Sequence, residues 1–310
     1  MNNKILLSIC VPTYNGGEKL RVGLNRLVEI CCGKDDVEII ISNNGSTDNT
    51  KEILDSYESV KNLFVYHNKV NVGFSGNLKL LIDNYANGEY CWIIGDDDYL
   101  DTDSLDFIIK ILAENHPPFM SVKHRCLTLE DFNAFHIQKN REILYELGSY
   151  FKCIDNNADV TNVLATFMSS HIFKLDRVRA VDKRDFGFID FSNFEKTFPN
   201  SYLMTKCFHN EDNCCCIKTP LFTALIHPKS WDDKLYKIKT QILPEGYLYY
   251  RSLAKNESDL DENKRIIYRD IAVLMKESLS RFRLPPELRR YVFNRYVISS
   301  GLRYLLGMHK

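Results

Sequence analysis

The sequence predicts an α/β fold with a doubly wound, mainly parallel sheet that is followed by helices at the carboxyl end. Strand and helix patterns alternate over the first hundred residues, a polar loop follows each strand pattern, and helical patterns return beyond residue 260. The 310 residues suffice for a large core. A formal net charge of −1 argues against nucleic acid as the main partner.

Four apolar runs in the first hundred residues predict strands, namely residues 5–11, 37–42, 63–66 and 90–94. Apolar residues at helical spacing follow the first three runs, at residues 20–31, 53–57 and 78–85. Right-handed crossovers make such strands parallel, so the polar loops at their carboxyl ends should meet at one edge of the sheet.

The pattern is looser after residue 100. Residues 104–114 predict a helix that ends before Pro117, residues 119–129 predict one or two strands, and residues 169–175 predict another. Residues 159–168 are compatible with a helix, and residues 186–202 predict loops and short helices over a cleft. The last two predicted helices are residues 264–282 and 287–306, which are separated by Pro285 and Pro286.

Three consecutive carboxylates, Asp96, Asp97 and Asp98, follow the fourth predicted strand. Their mutual repulsion predicts a compensating cation or a hydrogen-bond network. Hard oxygen ligands of this kind suit Mg²⁺ or Mn²⁺. The alternative is a solvated loop that precedes a helix cap at Asp103 or Ser104.

Several other classes of protein lack support in the sequence. Neither a Gly-x-Gly-x-x-Gly nor a Walker-type glycine motif follows any of the four strands, which disfavours dinucleotide oxidoreductases and Walker-type nucleotide hydrolases. The ten cysteines include no Cys-x-x-Cys pair and predict reduced thiols in a cytosol. No stretch approaches the roughly 20 apolar residues of a membrane-spanning helix.

Four motifs stand in order along the first hundred residues. They are Val11-Pro12-Thr13-Tyr14-Asn15, Ser42-Asn43-Asn44-Gly45-Ser46-Thr47-Asp48, Asn71-Val72-Gly73 with Asn77, and Gly88-Glu89-Tyr90 leading to Gly95-Asp96-Asp97-Asp98-Tyr99-Leu100. In this order they resemble the family 2 glycosyltransferases, which have the GT-A fold. The remaining two thirds are similar to bacterial transferases that build O-antigen and other surface polysaccharides, including abequosyltransferase-like members.

The resemblance implies an inverting enzyme, dependent on Mn²⁺ or Mg²⁺, that transfers a hexosyl or deoxyhexosyl group from a nucleotide sugar. The implied acceptor is a hydroxyl of a lipid-linked glycan in O-antigen or surface-polysaccharide synthesis. Residues 1–230 would form the transferase domain, with a nucleotide-sugar half at 1–100 and an acceptor half at 101–230. Residues 231–310 would form a helical extension. The alternatives are a sugar nucleotidyltransferase and a non-catalytic module that binds glycans or nucleotide sugars.

The resemblance also assigns roles to individual residues. The residues implied to bind the nucleotide sugar are Pro12, Tyr14, Asn15, Asn43, Asp48, Asn77, Asp96 and Asp97. Asp96 and Asp98 form the Asp-x-Asp (DXD) pattern and are the implied metal ligands, although Asp97 is able to replace either. The catalytic base is Asp190 or Glu195, with Asp190 preferred, and Glu211-Asp212 has the composition of the acidic pair found in many members.

Two further expectations concern partners. Asn43 stands where the family often has aspartate, and an amide both donates and accepts, so CDP-sugars are admissible donors beside UDP- and dTDP-sugars. Residues 281–310 carry a local charge of +6 and apolar residues. This predicts peripheral contact with anionic lipid at the inner face of the cytoplasmic membrane, against the alternative of a solvated helix.

Overall fold

The computed structural model describes residues 4–135, 141–159, 161–225 and 234–280. Nine strands in this part of the chain form one sheet with the order β3-β2-β1-β4-β8-β6-β9-β5, and β7 also pairs with β9. The strands are β1 (Leu7–Thr13), β2 (Val37–Asn43), β3 (Leu63–His67), β4 (Tyr90–Ile93), β5 (Asp98–Leu100), β6 (Phe119–Leu127), β7 (Tyr145–Gly148), β8 (His171–Lys174) and β9 (Cys214–Leu225).

Helices cover both faces of the sheet. They are α1 (Gly17–Cys31), α2 (Thr50–Asp55), α3 (Phe74–Leu80), α4 (Ser104–Asn115), α5 (Leu129–Ala134), α6 (Tyr150–Asn156), α7 (Leu175–Arg179), α8 (Phe194–Thr197), α9 (Pro199–Phe208), α10 (Leu235–Lys237), α11 (Leu243–Leu253) and α12 (Asp261–Ser280). A π-helical turn, Leu81–Tyr85, continues α3, and another, Ile238–Ile242, joins α10 to α11.

Strand direction decides which loops meet. β1 to β4 are parallel, as predicted. β8 runs antiparallel to β4 and to β6, while β9 is parallel to β6 and antiparallel to β5 and β7. The carboxyl ends of β1–β4, β6 and β9 therefore share one edge with the amino end of β8. We call this edge the carboxyl edge, and the other the amino edge.

Two apolar clusters fill the space between the sheet and its helices. In β1, Leu7, Ile9 and Val11 belong to the cluster that also contains residues of α1 and α4. Cys10 belongs to the other cluster, which contains residues of α3, α6, α9 and α12. This alternation is expected of a strand that is buried on both faces. Tyr90 and Trp92 in β4 are fully buried, so both are core residues.

One predicted helix is wrong. In the described part of residues 159–168 there is no α-helix but a 3₁₀ turn, Val163–Ala165, and the first residue of another, Met168–Ser170, because Leu164 and Ala165 adopt positive φ angles of 54° and 56°. The Asp159 carboxylate accepts hydrogen bonds from two backbone N–H groups further along, which holds this segment as a turn. The helix predicted for residues 287–306 and the basic segment 281–310 lie outside the described residues. Within the described ranges, the structure contains no helix that combines the length and apolarity required to cross a membrane.

His171 in β8 supplies a stability prediction. Its side chain is buried, Nε2 has no hydrogen-bond partner among the described residues, and burial lowers its pKa from 6.5 to about 3. The folded state therefore binds fewer protons than the unfolded state, and this contribution to stability is lost as the pH falls from about 6.5 towards 3. We expect the burial of the neutral histidine to lower the free energy of unfolding by about 2 kcal/mol at pH 5, relative to its value above pH 6.5.

Urea unfolding of the wild type and His171→Leu at pH 7.5 and pH 5 measures this cost. The leucine variant should lose less stability than the wild type between the two pH values. Equal pH dependence in the wild type and His171→Leu would contradict the assignment.

Candidate active site

The loops that follow β1 and β2 are hydrogen-bonded to each other at the carboxyl edge. Asn15, with a φ of 54°, accepts a hydrogen bond from the Thr47 N–H at its Oδ1 (2.9 Å). Its own N–H donates to the Ser46 Oγ (2.9 Å). Tyr14 stands next to this junction with 48% of its surface exposed, and Pro12 is partly exposed. The first loop therefore presents an aromatic ring from a fixed backbone.

The loops after β2 and β3 are joined in the same way. The Asn44 amide donates to the Asn71 Oδ1 (3.0 Å) and accepts from the Val72 N–H (3.0 Å). Asn77 is buried, donates to the Ser42 carbonyl (3.0 Å) and accepts from the Ser42 hydroxyl (2.5 Å). Asn77 thus braces β2 against α3, so the three loops behave as one connected unit.

Two residues predicted to bind the nucleotide are engaged within this unit. Asn43 is 3% exposed; its Oδ1 accepts from the Ser46 N–H (3.1 Å) and its Nδ2 lies 3.0 Å from the His67 Nδ1. The Asp48 Oδ1 accepts from the N–H (3.0 Å) and hydroxyl (2.5 Å) of Thr50 at the start of α2. Both side chains shape the second loop; Asn43 is buried, whereas Asp48 and Tyr14 are exposed.

The acidic turn, Asp96 to Asp98, lies beside the first loop. The Thr13 hydroxyl donates to the Asp96 Oδ2 (2.6 Å), while burial raises the pKa of Asp96 to about 6. Asp98 is 8% exposed, and burial, followed by the charge of Asp97, raises its pKa to about 7. The turn therefore holds carboxylates whose ionised forms are disfavoured by their surroundings.

The donor atoms of the acidic turn suit a cation that is shared with a ligand. Hydroxyl groups, which are neutral, donate to Asp96 and Asp98. No group of three or more His, Cys, Asp or Glu side chains within the described residues is arranged to hold a metal ion. Mg²⁺ is commonly held by one or two carboxylates together with the phosphates of a substrate. The turn fits that mode of binding rather than a site built by protein groups alone.

Ser169 is a functional candidate that sequence reasoning missed. Its hydroxyl accepts from the Gly95 N–H (2.9 Å) and donates to the Asp98 Oδ2, and its carbonyl accepts from the Trp92 Nε1–H (2.7 Å). Ser169 lies 71 residues beyond Asp98 in the chain. No local pattern signals this contact, because it exists only when β8 pairs with β4.

We expect Ser169→Ala to lower the free energy of unfolding by about 1–3 kcal/mol, because Gly95 and Asp98 lose a buried hydrogen-bond partner. Ser170→Ala is a matched control, because the buried Ser170 hydroxyl has no partner among the described residues. Chemical unfolding at pH 7 compares the two variants. Equal losses of stability would show that the Ser169 hydrogen bonds contribute nothing specific.

The segment after α7 brings Asp190 to the carboxyl edge. The Gly187 carbonyl accepts from the Ser75 N–H (2.9 Å) at the start of α3, which fixes this segment beside the third loop. Three residues later, Asp190 is 53% exposed and lies 3.5 Å from the Lys196 ammonium. Glu195 belongs to the first turn of α8; burial, Tyr202 and, least, the charge of Glu195 raise the pKa of Tyr249 on α11 to about 12. Both carboxylates are exposed in the segment that follows this anchored loop, so Asp190 and Glu195 both remain candidates for the base.

The alternative base, Glu211-Asp212, is wrong. These residues precede β9, and the register of β9 with β6 puts its first residues at the amino edge. Glu211 pairs with Arg177 (2.7 Å) and Asp212 with Lys255 (2.7 Å). The length of the sheet separates them from the acidic turn. Their composition as an acidic pair therefore does not identify a base at this site.

A sheet whose first four strands are parallel, and whose first loops meet beside an acidic turn, defines an α/β protein of the GT-A class, as predicted. Residues 8–170 match the model of the family described as Glycosyl transferase family 2, which is more than half of the chain, and the chain belongs to this family. The predicted membership is confirmed.

The similar proteins include two bacterial glycosyltransferases. The abequosyltransferase RfbV of Salmonella typhimurium is 29% identical over 214 residues, which cover 66% of this chain and 62% of RfbV. The poly(ribitol-phosphate) β-N-acetylglucosaminyltransferase TarS of Staphylococcus aureus is 28% identical over 116 residues, covering 37% of this chain and 20% of TarS. The matches thus span less than two thirds of either relative.

Solved structures agree on the fold. The structure of S. aureus TarS residues 1–349 in complex with UDP superposes with a TM-score of 0.60 at 16% identity, covering 98% of this chain and 92% of that one. The mannosyltransferase PcManGT of Pyrobaculum calidifontis, in complex with GDP-Man and Mn²⁺, has a TM-score of 0.56 at 15% identity, covering 98% and 88%. These likenesses confirm the GT-A fold.

Proposed function

We propose that this protein transfers a sugar from a nucleotide sugar to a hydroxyl group of a glycan, with inversion at the anomeric carbon. The observation that carries the proposal is the meeting of Tyr14, the acidic turn and the Asp190 segment at one edge of the sheet. Family membership supports it, and so do the names of its relatives, an abequosyltransferase and an N-acetylglucosaminyltransferase. Residues 1–100 would hold the donor, residues 101–230 the acceptor, and residues 231–310 would form an extension.

The donor would lie across the three joined loops, with Tyr14, Pro12 and Asn15 nearest to the nucleotide. Asn43, Asp48 and Asn77 would act by shaping the loops that contact it. The Asn43 amide would form a second hydrogen bond, to the nucleobase. Because an amide both donates and accepts, CDP-, UDP- and dTDP-sugars are all proposed donors. The structures of TarS with UDP and with UDP-GlcNAc support a uridine donor. Calorimetric titration with CDP, UDP and dTDP ranks the three bases, and a clear preference for UDP would remove the special role of Asn43.

Asp96 and Asp98 are the proposed ligands of Mn²⁺ or Mg²⁺, with Asp97 contacting the nucleotide sugar. When bound, the cation neutralises negative charge on the departing diphosphate. Thr13 and Ser169 hold the two carboxylates in place, and the partial burial of the turn strengthens their attraction for a cation. The Mn²⁺ in the PcManGT structure supports a cation at this fold.

Asp190 is the proposed base. Its carboxylate would take the proton of the acceptor hydroxyl while that oxygen bonds to the anomeric carbon. The bond between the anomeric carbon and the diphosphate oxygen breaks, and its electron pair leaves with the nucleoside diphosphate. Because attack and departure occur on opposite faces of the ring, the configuration at the anomeric carbon inverts. The partial exposure of Asp190 leaves it accessible to an acceptor.

The proposed acceptor is a lipid-linked glycan of O-antigen or surface-polysaccharide synthesis, which is the acceptor that the resemblance of the sequence to bacterial O-antigen transferases implies. The basic segment 281–310 would bring the protein to the inner face of the cytoplasmic membrane. Flotation of the intact chain with anionic liposomes should succeed at low salt and fail at high salt. Flotation that is unchanged when residues 284–310 are removed would refute this contact.

Incubation with a panel of nucleotide sugars and glycan acceptors tests the central proposal. Release of a nucleoside diphosphate together with a glycosylated product is the expected result. Release of pyrophosphate would instead identify a nucleotidyltransferase, and binding without turnover would identify a non-catalytic module. Chelation of divalent cations should abolish turnover.

A further inference from the structure

A short loop of residues 186–190 reaches the carboxyl edge and carries none of the four motifs. The Gly187 carbonyl accepts from the N–H groups of Ser75 (2.9 Å) and Gly76 (3.3 Å). Gly73, with a φ of 78°, lies so close that a Cβ on it would be 2.5 Å from the Gly187 carbonyl and the Phe188 nitrogen. The loop is therefore held by backbone contacts, and its position depends on the absence of a side chain at Gly73.

Phe188 projects from this loop into solvent. It is 71% exposed, which is the highest value among the large apolar side chains that the structure describes. Its neighbours Phe186 and Phe191 instead pack against the apolar cluster beneath the sheet. A ring that is held outward on a fixed backbone loses little conformational entropy when a ligand covers it. Removing its apolar surface from water then makes a favourable contribution to the binding free energy.

The charge around Phe188 selects among ligands. Asp185 and Asp190 flank it in the same segment, and both are exposed. Lys196 pairs with Asp190 and Arg184 adjoins Asp185, so residues 184–196 carry a net charge of −1 (two bases against three acids) and offer a diphosphate no net attraction. The carboxylates accept hydrogen bonds from hydroxyl groups. The exposed Tyr14 of the first loop is the aromatic residue proposed for the nucleotide. A neutral polyhydroxylated ring therefore suits Phe188 better than the nucleotide does.

We propose that Phe188 is a stacking platform for a pyranose ring of the acceptor, with the flanking carboxylates accepting hydrogen bonds from its hydroxyl groups. The apolar C–H face of the sugar would cover the aromatic ring, which combines an aromatic contact with a few polar ones. This inference rests on the proposed function, because it assigns the second substrate of the same site. It places the acceptor sugar within two residues of Asp190 in the chain.

Saturation-transfer NMR titrations test the platform with the methyl pyranosides of glucose, galactose, mannose and N-acetylglucosamine at saturating UDP. At least one pyranoside should bind to the wild type, and Phe188→Ala should weaken that binding about tenfold. Phe188→Trp should retain binding because it keeps an aromatic face. Phe64→Ala is the matched control, because Phe64 is an exposed phenylalanine (45%) on β3. Affinity for UDP should be the same in all variants.

Several outcomes would overturn the platform. One is the absence of pyranoside binding to the wild type, and another is equal pyranoside affinity in the wild type and Phe188→Ala. Weaker UDP binding in Phe188→Ala would instead place the ring under the nucleobase. Nucleotide-sugar turnover without any effect of Phe188 would leave the proposed function standing and remove the platform. Pyranoside binding that depends on Phe188, in a protein that turns over no nucleotide sugar, would leave the platform standing and remove the proposed function.

Discussion

Asp98→Asn should lower the turnover of the nucleotide sugar by about 100-fold or more, and the variant should still fold. The asparagine has the same shape and still accepts the hydrogen bond of the Ser169 hydroxyl, but it lacks the charge that would attract a cation. Stability should not fall, because Asp98 is almost fully buried and its charge is disfavoured in the free protein. Steady-state kinetics with Mn²⁺ and thermal unfolding without it measure the two effects separately.

Asp106→Asn is the matched control for this change. Asp106 lies on α4 with a side chain that is 74% exposed and pairs with Lys34. It should keep wild-type turnover and lose little stability, since exposed ion pairs contribute little. Wild-type turnover in Asp98→Asn, or turnover that resists a chelator, would remove the acidic turn from the mechanism.

Asp190→Asn should lower turnover by about 10²- to 10⁴-fold, the usual effect of removing a general base. An amide does not take the proton of the acceptor hydroxyl, whereas the shape of the loop is retained. Binding of UDP should be unchanged, because Asp190 lies outside the three nucleotide loops. Single-turnover kinetics with saturating donor, together with UDP titration, distinguish a slower chemical step from weaker binding.

Glu195→Gln is the control that tests the choice between the two carboxylates. It removes a charge five residues away in the chain, on the first turn of α8, and should change turnover only slightly. If Glu195→Gln were the inactive variant and Asp190→Asn the active one, the roles proposed for the two residues would be exchanged.

Local sequence patterns were most informative in the first hundred residues. The strands from β1 to β4 were predicted within two residues at each end, because short apolar runs bounded by polar loops encode burial directly. The acidic turn was predicted for the same reason, since it follows the end of β4. The wrong helix at residues 159–168 shows the limit of such patterns. Hydrogen bonds from Asp159 and positive φ angles at Leu164 and Ala165 outweigh helical spacing there.

For single residues, position in the sheet was predicted, but hydrogen-bond partners were not. Asp96 was predicted from its position after a strand and Tyr14 from the family resemblance, and the structure puts both at the carboxyl edge. Asn43 and Asp48 stand equally well in their motif, yet their side chains are engaged in holding the second loop. Neighbours in sequence do not reveal which side chains are already bonded, because those bonds depend on the fold.

The sequence alone therefore determined the α/β class, the family and the strand ends at which the site is built, because burial period and loop motifs are local properties. Only the tertiary structure decided which distant residues complete that site. The reversal of β8 brings Ser169 to Asp98, and the direction of β9 carries Glu211 to the amino edge. Both outcomes depend on strand pairing between residues far apart in the chain, which no local pattern encodes.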